Sequence, residues 1–178
     1  MLGRMCRKIC QISAVVAVAL QLGACIYSDY DLSSTLKPEF PLKVGTYAKD
    51  KDNIIDVRRF GDAYRVYNRS TKLTTYAHLY KIPEYPDYLF QYNDRKKKPI
   101  VYLFLKVTDK GFDVYTIDKV ATVVPEHLAK LVTQGSNNSK NENEITINNG
   151  RRDTLYVVRE MARAGLKMSV AESYERRP

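Results

Sequence analysis

His78 and His127 are the chain's two imidazoles, and Cys6, Cys10 and Cys25 are its three thiols. A zinc centre gathers three or four His, Cys or carboxylate ligands. Two distant histidines, with every thiol in the first 25 residues, do not supply that set, so no metal is expected. His127 lies at helical spacing from Lys130 and Gln134, on a polar face. His78 lies between Tyr76 and Tyr80, and strand alternation puts the three rings on one face. A base there needs a nucleophile and an orienting acid in reach, and the sequence names neither. There is no Gly-x-Ser-x-Gly to expose a serine on a strained turn. Neither Gly-x-Gly-x-x-Gly nor a phosphate-loop lysine motif occurs. Glu84 and Asp87 form an acid pair, but in a loop that holds Pro83 and Pro86, where solvated carboxylates are ordinary. A glycosidase instead holds two carboxylates at a defined separation across a cleft. The residue types therefore favour binding over catalysis, with no catalytic residue and no cofactor.

Two features suit binding. Arg95-Lys96-Lys97-Lys98 is a basic cluster at a predicted hairpin tip, and each such cation is worth about 1 kcal/mol near an anionic surface. Tyr76, His78 and Tyr80 form a candidate aromatic face in a chain with 14 tyrosines. Tyrosine offers rigid amphipathic area for a protein partner or a sugar ring, and it also fits half-buried strands without any ligand.

The first residues carry a different message. Arg4, Arg7 and Lys8 precede an apolar run from Ile12 to Leu20, and Leu22-Gly23-Ala24-Cys25 follows. A basic start, a short apolar segment and small residues make a secretory signal. A membrane span needs about 20 apolar residues, and Gln11, Ser13 and Gln21 interrupt this shorter run. Leu22-Gly23-Ala24-Cys25 resembles the lipobox of bacterial lipoproteins. That resemblance implies cleavage between Ala24 and Cys25 and a thioether-linked lipid on Cys25. With three acyl chains the attachment would be effectively permanent, since two already anchor stably. In those lipoproteins an Asp after the cysteine retains the protein in the inner membrane. Ile26 at that position implies the outer membrane, facing the periplasm.

Removing residues 1–24, which hold three basic and no acidic side chains, leaves 154 residues and lowers the formal charge from +9 to +6. That length suits one domain burying roughly 68–70% of its unfolded surface. Cys6 and Cys10 leave with the signal and Cys25 is consumed by lipid, so neither a disulfide nor a thiolate metal site is expected. Export removes nucleic acid from the partners that a basic surface suggests. The expected partners are the membrane, through the lipid, and an envelope protein. One alternative is lipopolysaccharide or peptidoglycan, met through Arg95–Lys98. Another is a lysozyme-inhibitor-like role, compatible with a β-rich periplasmic lipoprotein.

The elements that must position these residues follow from alternation and turn chemistry. Residues 25–42, with Pro38 and Pro41, read as a lipidated N-terminus and tether, and residues 43–178 as one globular domain. Strands are predicted over Lys43–Ala48, Ile54–Phe60, Ala63–Asn68, Leu73–Ile82, Tyr88–Tyr92, Ile100–Thr108 and Phe112–Ile117. Gly61-Asp62, Asn68-Arg69-Ser70 and Asp109-Lys110-Gly111 separate several of them. Short connections imply antiparallel neighbours. Ile100–Thr108 is apolar on both faces and is expected to be central. Two helices are predicted, one opening at Val124-Pro125-Glu126 and one near Asp153-Thr154. Residues 135–144 read as a flexible loop, Glu144–Asn148 as a short strand and residues 167–174 as a last strand. The expected class is α+β: a curved antiparallel meander, open as an incomplete barrel, with two C-terminal helices packed on it.

Overall fold

A computed structural model describes residues 25–93, 100–117, 124–134, 144–148, 150–164 and 168–178. After β1 (Cys25–Ser28), seven strands run as an antiparallel meander: β2 (Gly45–Ala48), β3 (Ile54–Phe60), β4 (Ala63–Asn68), β5 (Thr74–Lys81), β6 (Tyr88–Asn93), β7 (Ile100–Val107) and β8 (Gly111–Ile117). Then come β9 (Val132–Gln134), β10 (Glu144–Ile147), the helix α1 (Gly150–Arg163) and β11 (Met168–Arg176). The turns behave as their residues require. Gly61 has φ +61°, the left-handed value that glycine adopts without a steric penalty. Asn68 Oδ1 accepts the backbone N–H groups of Ser70 and Thr71 at 2.9 and 3.0 Å, closing the β4–β5 turn.

The meander does not stay open. β11 returns antiparallel to both β8 and β2, and β6 pairs with β7, so eight strands close into a barrel. The expectation of an incomplete barrel is corrected by this closing strand. Residues 167–174 were expected to form a strand, but nothing local names the two edges it joins. Gly111 makes the seam possible: a Cβ there would lie 1.8 Å from the Tyr174 carbonyl oxygen.

Eight strands leave an interior just wide enough for side chains to fill. Ile55, Val57, Val66, Ala77, Leu103, Leu105 and Val114 occupy it, and the cavity left among them is about 30 Å³. Near the hairpin ends of β7–β8 and β3–β4, Leu42 closes the interior: its N–H donates to the Tyr64 hydroxyl at 2.9 Å, and that hydroxyl donates to the Leu42 carbonyl at 3.0 Å. Apolar residues point inward and Asp56, Arg58 and Arg65 lie outward, the reverse of the pattern in membrane-spanning barrels. Among the described residues no helix is long and apolar enough to cross a membrane.

β7 carries the fold. Val101, Leu103 and Leu105 face the barrel interior, whereas Ile100, Tyr102 and Phe104 belong to a second core outside it. That outer core holds Val157, Val158 and Met161 of α1, all fully buried, with Ile26, Ile145 and Ile147. Beyond the point where β8 leaves β7, β1 takes the vacated edge, pairing Ile26 with Tyr102 and Ser28 with Ile100. β10 adds to β1 in parallel and β9 to β10 antiparallel, so a three-stranded flap branches from the barrel and carries α1.

Two further expectations are corrected. Among the described residues there is one C-terminal helix, not the expected two. The stretch after Pro125 makes only a 3₁₀ turn, Glu126–Leu128, and then β9. The spacing of Leu128, Leu131 and Val132 suits a helix, but Val132 and Thr133 are β-branched and find a partner strand in β10. Residues 25–42 are not a free tether at their start. β1 lies in the sheet, and the 3₁₀ turn Leu32–Ser34 docks with Leu32 fully buried. The expected flexible loop, residues 135–144, lies outside the described residues but for Glu144, the first residue of β10.

Candidate functional site

Cys25 opens β1 opposite Glu144 and is 1% exposed. Its side chain belongs with Tyr27 to the barrel-side core, at the fork where β1 and β8 diverge along β7. Arg95–Lys98 and Ala24 lie outside the described residues.

Tyr76, His78 and Tyr80 share the outer face of β5, because Ala77 and Leu79 point inward. The face is not an open aromatic platform. Tyr80 is fully buried in the outer core, and Tyr76 packs against Phe60 with ring centroids 5.6 Å apart. His78 stacks on Tyr80 at 6.0 Å, with its Nε2 3.9 Å from Asp62 Oδ1. His78 Nδ1 and the Tyr80 hydroxyl are buried without a hydrogen-bond partner among the described residues. Burial pushes the Tyr80 hydroxyl's pKa up. Beside them, Gln91 is fully buried and holds the 32–34 turn in place. Its Oε1 accepts the Leu32 N–H at 3.0 Å, and its Nε2 donates to Asp31 Oδ1 at 2.7 Å. Burial opposes ionisation of Asp31, but the hydrogen bonds from Gln91 and Ser33 outweigh it and hold that carboxyl below its ordinary value.

Two carboxylates that sequence reading does not single out for burial are locked. Glu172, at the β11 bulge, has a side chain 1% exposed inside the barrel wall. Lys49 Nζ donates to one oxygen at 3.2 Å and the Tyr174 hydroxyl to the other at 3.0 Å. Burial nevertheless pushes its carboxyl above the ordinary value, against the pull of Lys49. Glu84, expected to be solvated, is the second. Arg159 Nε and Arg163 Nη2 of α1 reach its Oε1 at 2.8 and 2.9 Å. The Arg159 hydrogen bonds outweigh desolvation and bring its carboxyl down to about 2. The correction is physical: two arginines one helical turn apart converge on the β5–β6 loop, a meeting that the sequence does not display. His127 joins the same network, its Nε2 3.3 Å from Glu160 Oε2, and Glu160 in turn binds Arg163. It therefore lies against α1 and not on a free helix face. Each of these groups braces one element against another.

One concave site was missed by sequence reading. Beside Leu42 and Tyr47, at the mouth of the barrel, a cleft of about 460 Å³ is rimmed by Lys43, Lys106, Lys110 and Arg176, with Asp109 its one acid. The cations come from the β2 lead-in, the end of β7, the β7–β8 hairpin and the end of β11. No local run announces them; only barrel closure brings Arg176 beside Lys43. Among the described residues there is no group of three or more metal-binding side chains. Comparison with known proteins adds no relative: no family model, curated protein or solved structure matches this chain.

Proposed function

We propose that this protein is a lipid-anchored lipoprotein of the bacterial cell envelope that works by binding and not by catalysis. It sits at the outer membrane facing the periplasm, and its partner is another envelope protein. The observation that carries the reading is Leu22-Gly23-Ala24-Cys25 behind a basic start and a short apolar run. The locked state of Glu84 and Glu172 is consistent with a binding role, because neither carboxylate is presented to a substrate. Anchoring at Cys25 requires its sulfur to leave the barrel-side core, where Cys25 is 1% exposed. Cys25 is the first residue of β1, so it can swing out while Ile26–Ser28 keep their pairing with β7.

Mass spectrometry of the chain extracted from the producing bacterium's membranes tests the anchor. The expected N-terminus is an acylated Cys25, and Cys25→Ser should abolish both acylation and membrane attachment. Retention of residues 1–24 without lipid would overturn the reading. Crosslinking in living cells, with recovery through a C-terminal tag, tests the partner: one envelope protein at near-stoichiometric yield is expected, and recovery of none would remove the protein-partner reading.

A further inference from the structure

The cleft beside Leu42 and Tyr47 has a chemistry that the anchor reading does not use. Four cations rim it against one carboxylate, Asp109. Among the described residues none of the four makes an ion pair. Like charges gathered on a concave surface repel one another, and an anion placed among them relieves that repulsion. One of the four cations is held in place, while Lys43, Lys106 and Lys110 stand exposed around it. Arg176 Nη2 donates to the Val44 carbonyl at 3.0 Å, which holds the guanidinium across β2. Gly45 leaves room for it, since a Cβ there would lie 2.9 Å from Arg176 Nε. One of the guanidinium's five donors is thereby used, and the others remain for a ligand. The floor is rigid: Tyr47 is 2% exposed, and its hydroxyl donates to the Lys43 carbonyl at 2.6 Å.

We infer that this cleft binds a phosphomonoester carried on a sugar-sized body. A dianionic tetrahedral group satisfies several cations arriving from different directions. Arginine supplies paired donors and the lysines supply point charges. About 460 Å³ lies within the usual range for small-molecule sites, roughly 300–1,000 Å³, and exceeds what a bare phosphate fills. Pro41, Val107 and Thr108, the half-buried and exposed part of the lining, meet the ligand's body. The same chemistry is found on a free sugar phosphate and on a phosphorylated lipid headgroup. The inference stands on residues 42–176 and does not depend on lipidation of Cys25.

Isothermal titration of the full chain in detergent with glucose 6-phosphate, inorganic phosphate and glucose tests it. Glucose 6-phosphate should bind, phosphate more weakly, and glucose not at all. Lys106→Ala with Lys110→Ala, both exposed, should weaken binding by about tenfold or more. Lys51→Ala with Lys130→Ala, an equal charge loss at exposed positions away from the cleft, should leave it unchanged. Co-sedimentation with phosphatidylcholine vesicles, with and without phosphatidic acid, separates the sources. An excess on phosphatidic acid that the cleft variant loses assigns a lipid headgroup, and binding of the soluble ester alone assigns a free metabolite. No binding of glucose 6-phosphate, or an equal loss in both double variants, would overturn the proposal.

Discussion

At Glu84 a single carboxylate joins the β5–β6 loop to the helix, and its pH dependence can be worked out. Arg159 and Arg163 favour the charged form, so the folded state titrates near 2 whereas the unfolded chain titrates near 4.5. A depressed acid contributes stability that is present above its unfolded value and is lost as pH falls through the folded one. The wild type should therefore lose melting temperature between about pH 4.5 and 2 more steeply than Glu84→Gln. At neutral pH the variant should be less stable by about 1–3 kcal/mol, the usual cost of losing a charged hydrogen-bond partner. Because both arginines remain substantially exposed, the lower part of that range is expected. Melting curves of the two proteins across that pH range check both statements, and parallel curves would show that the clamp carries no stability.

Among the elements, the β8–β11 seam is the most exacting. Gly111 stands opposite Glu175, and any side chain there meets the Tyr174 backbone. A neighbouring side chain can rotate away, but a strand backbone cannot without breaking its ladder. Gly111→Ala should cost about 1–3 kcal/mol, the range for overpacking a close contact, and should speed amide exchange at Phe112 and Tyr174. Gly61→Ala, which meets nothing within 4 Å, isolates the other glycine effect, a positive φ alone. Sequence reading captured these elements unevenly. β3 and β4 match their expected bounds because Gly61-Asp62 and the Asn68 turn mark them locally. α1 begins at Gly150, with Asp153 in its first turn and not at its cap. β9 was hidden because three residues carry too little pattern, and β1 because its four residues follow directly on the apolar run and the small residues Gly23 and Ala24.

For the whole molecule, closure is decided by β11. Ending the chain before Met168 removes the strand that pairs with both β8 and β2, and with it Glu172 and Tyr174. Two sheet edges and the interior face of β2 and β8 would then meet water. The truncated chain should lose its cooperative thermal transition and its near-ultraviolet tyrosine dichroism; a sharp transition near that of the full chain would show that the seven-stranded meander is stable alone. The residues legible from sequence were those whose neighbours carry the message: apolar alternation on both faces of β7, glycine and asparagine at turns. What only tertiary structure decided depends on groups far apart in the chain. Barrel closure rests on twist accumulated over seven strands and an edge match made by a strand some fifty residues later. The meeting of Arg176 with Lys43, Lys106 and Lys110 follows from that closure, whereas the burial of Tyr80 and the clamp on Glu84 follow from the docking of α1 on the outer core. Short-range pattern specifies which face of a strand is apolar, but it carries no information about which distant side chain the polar face will meet.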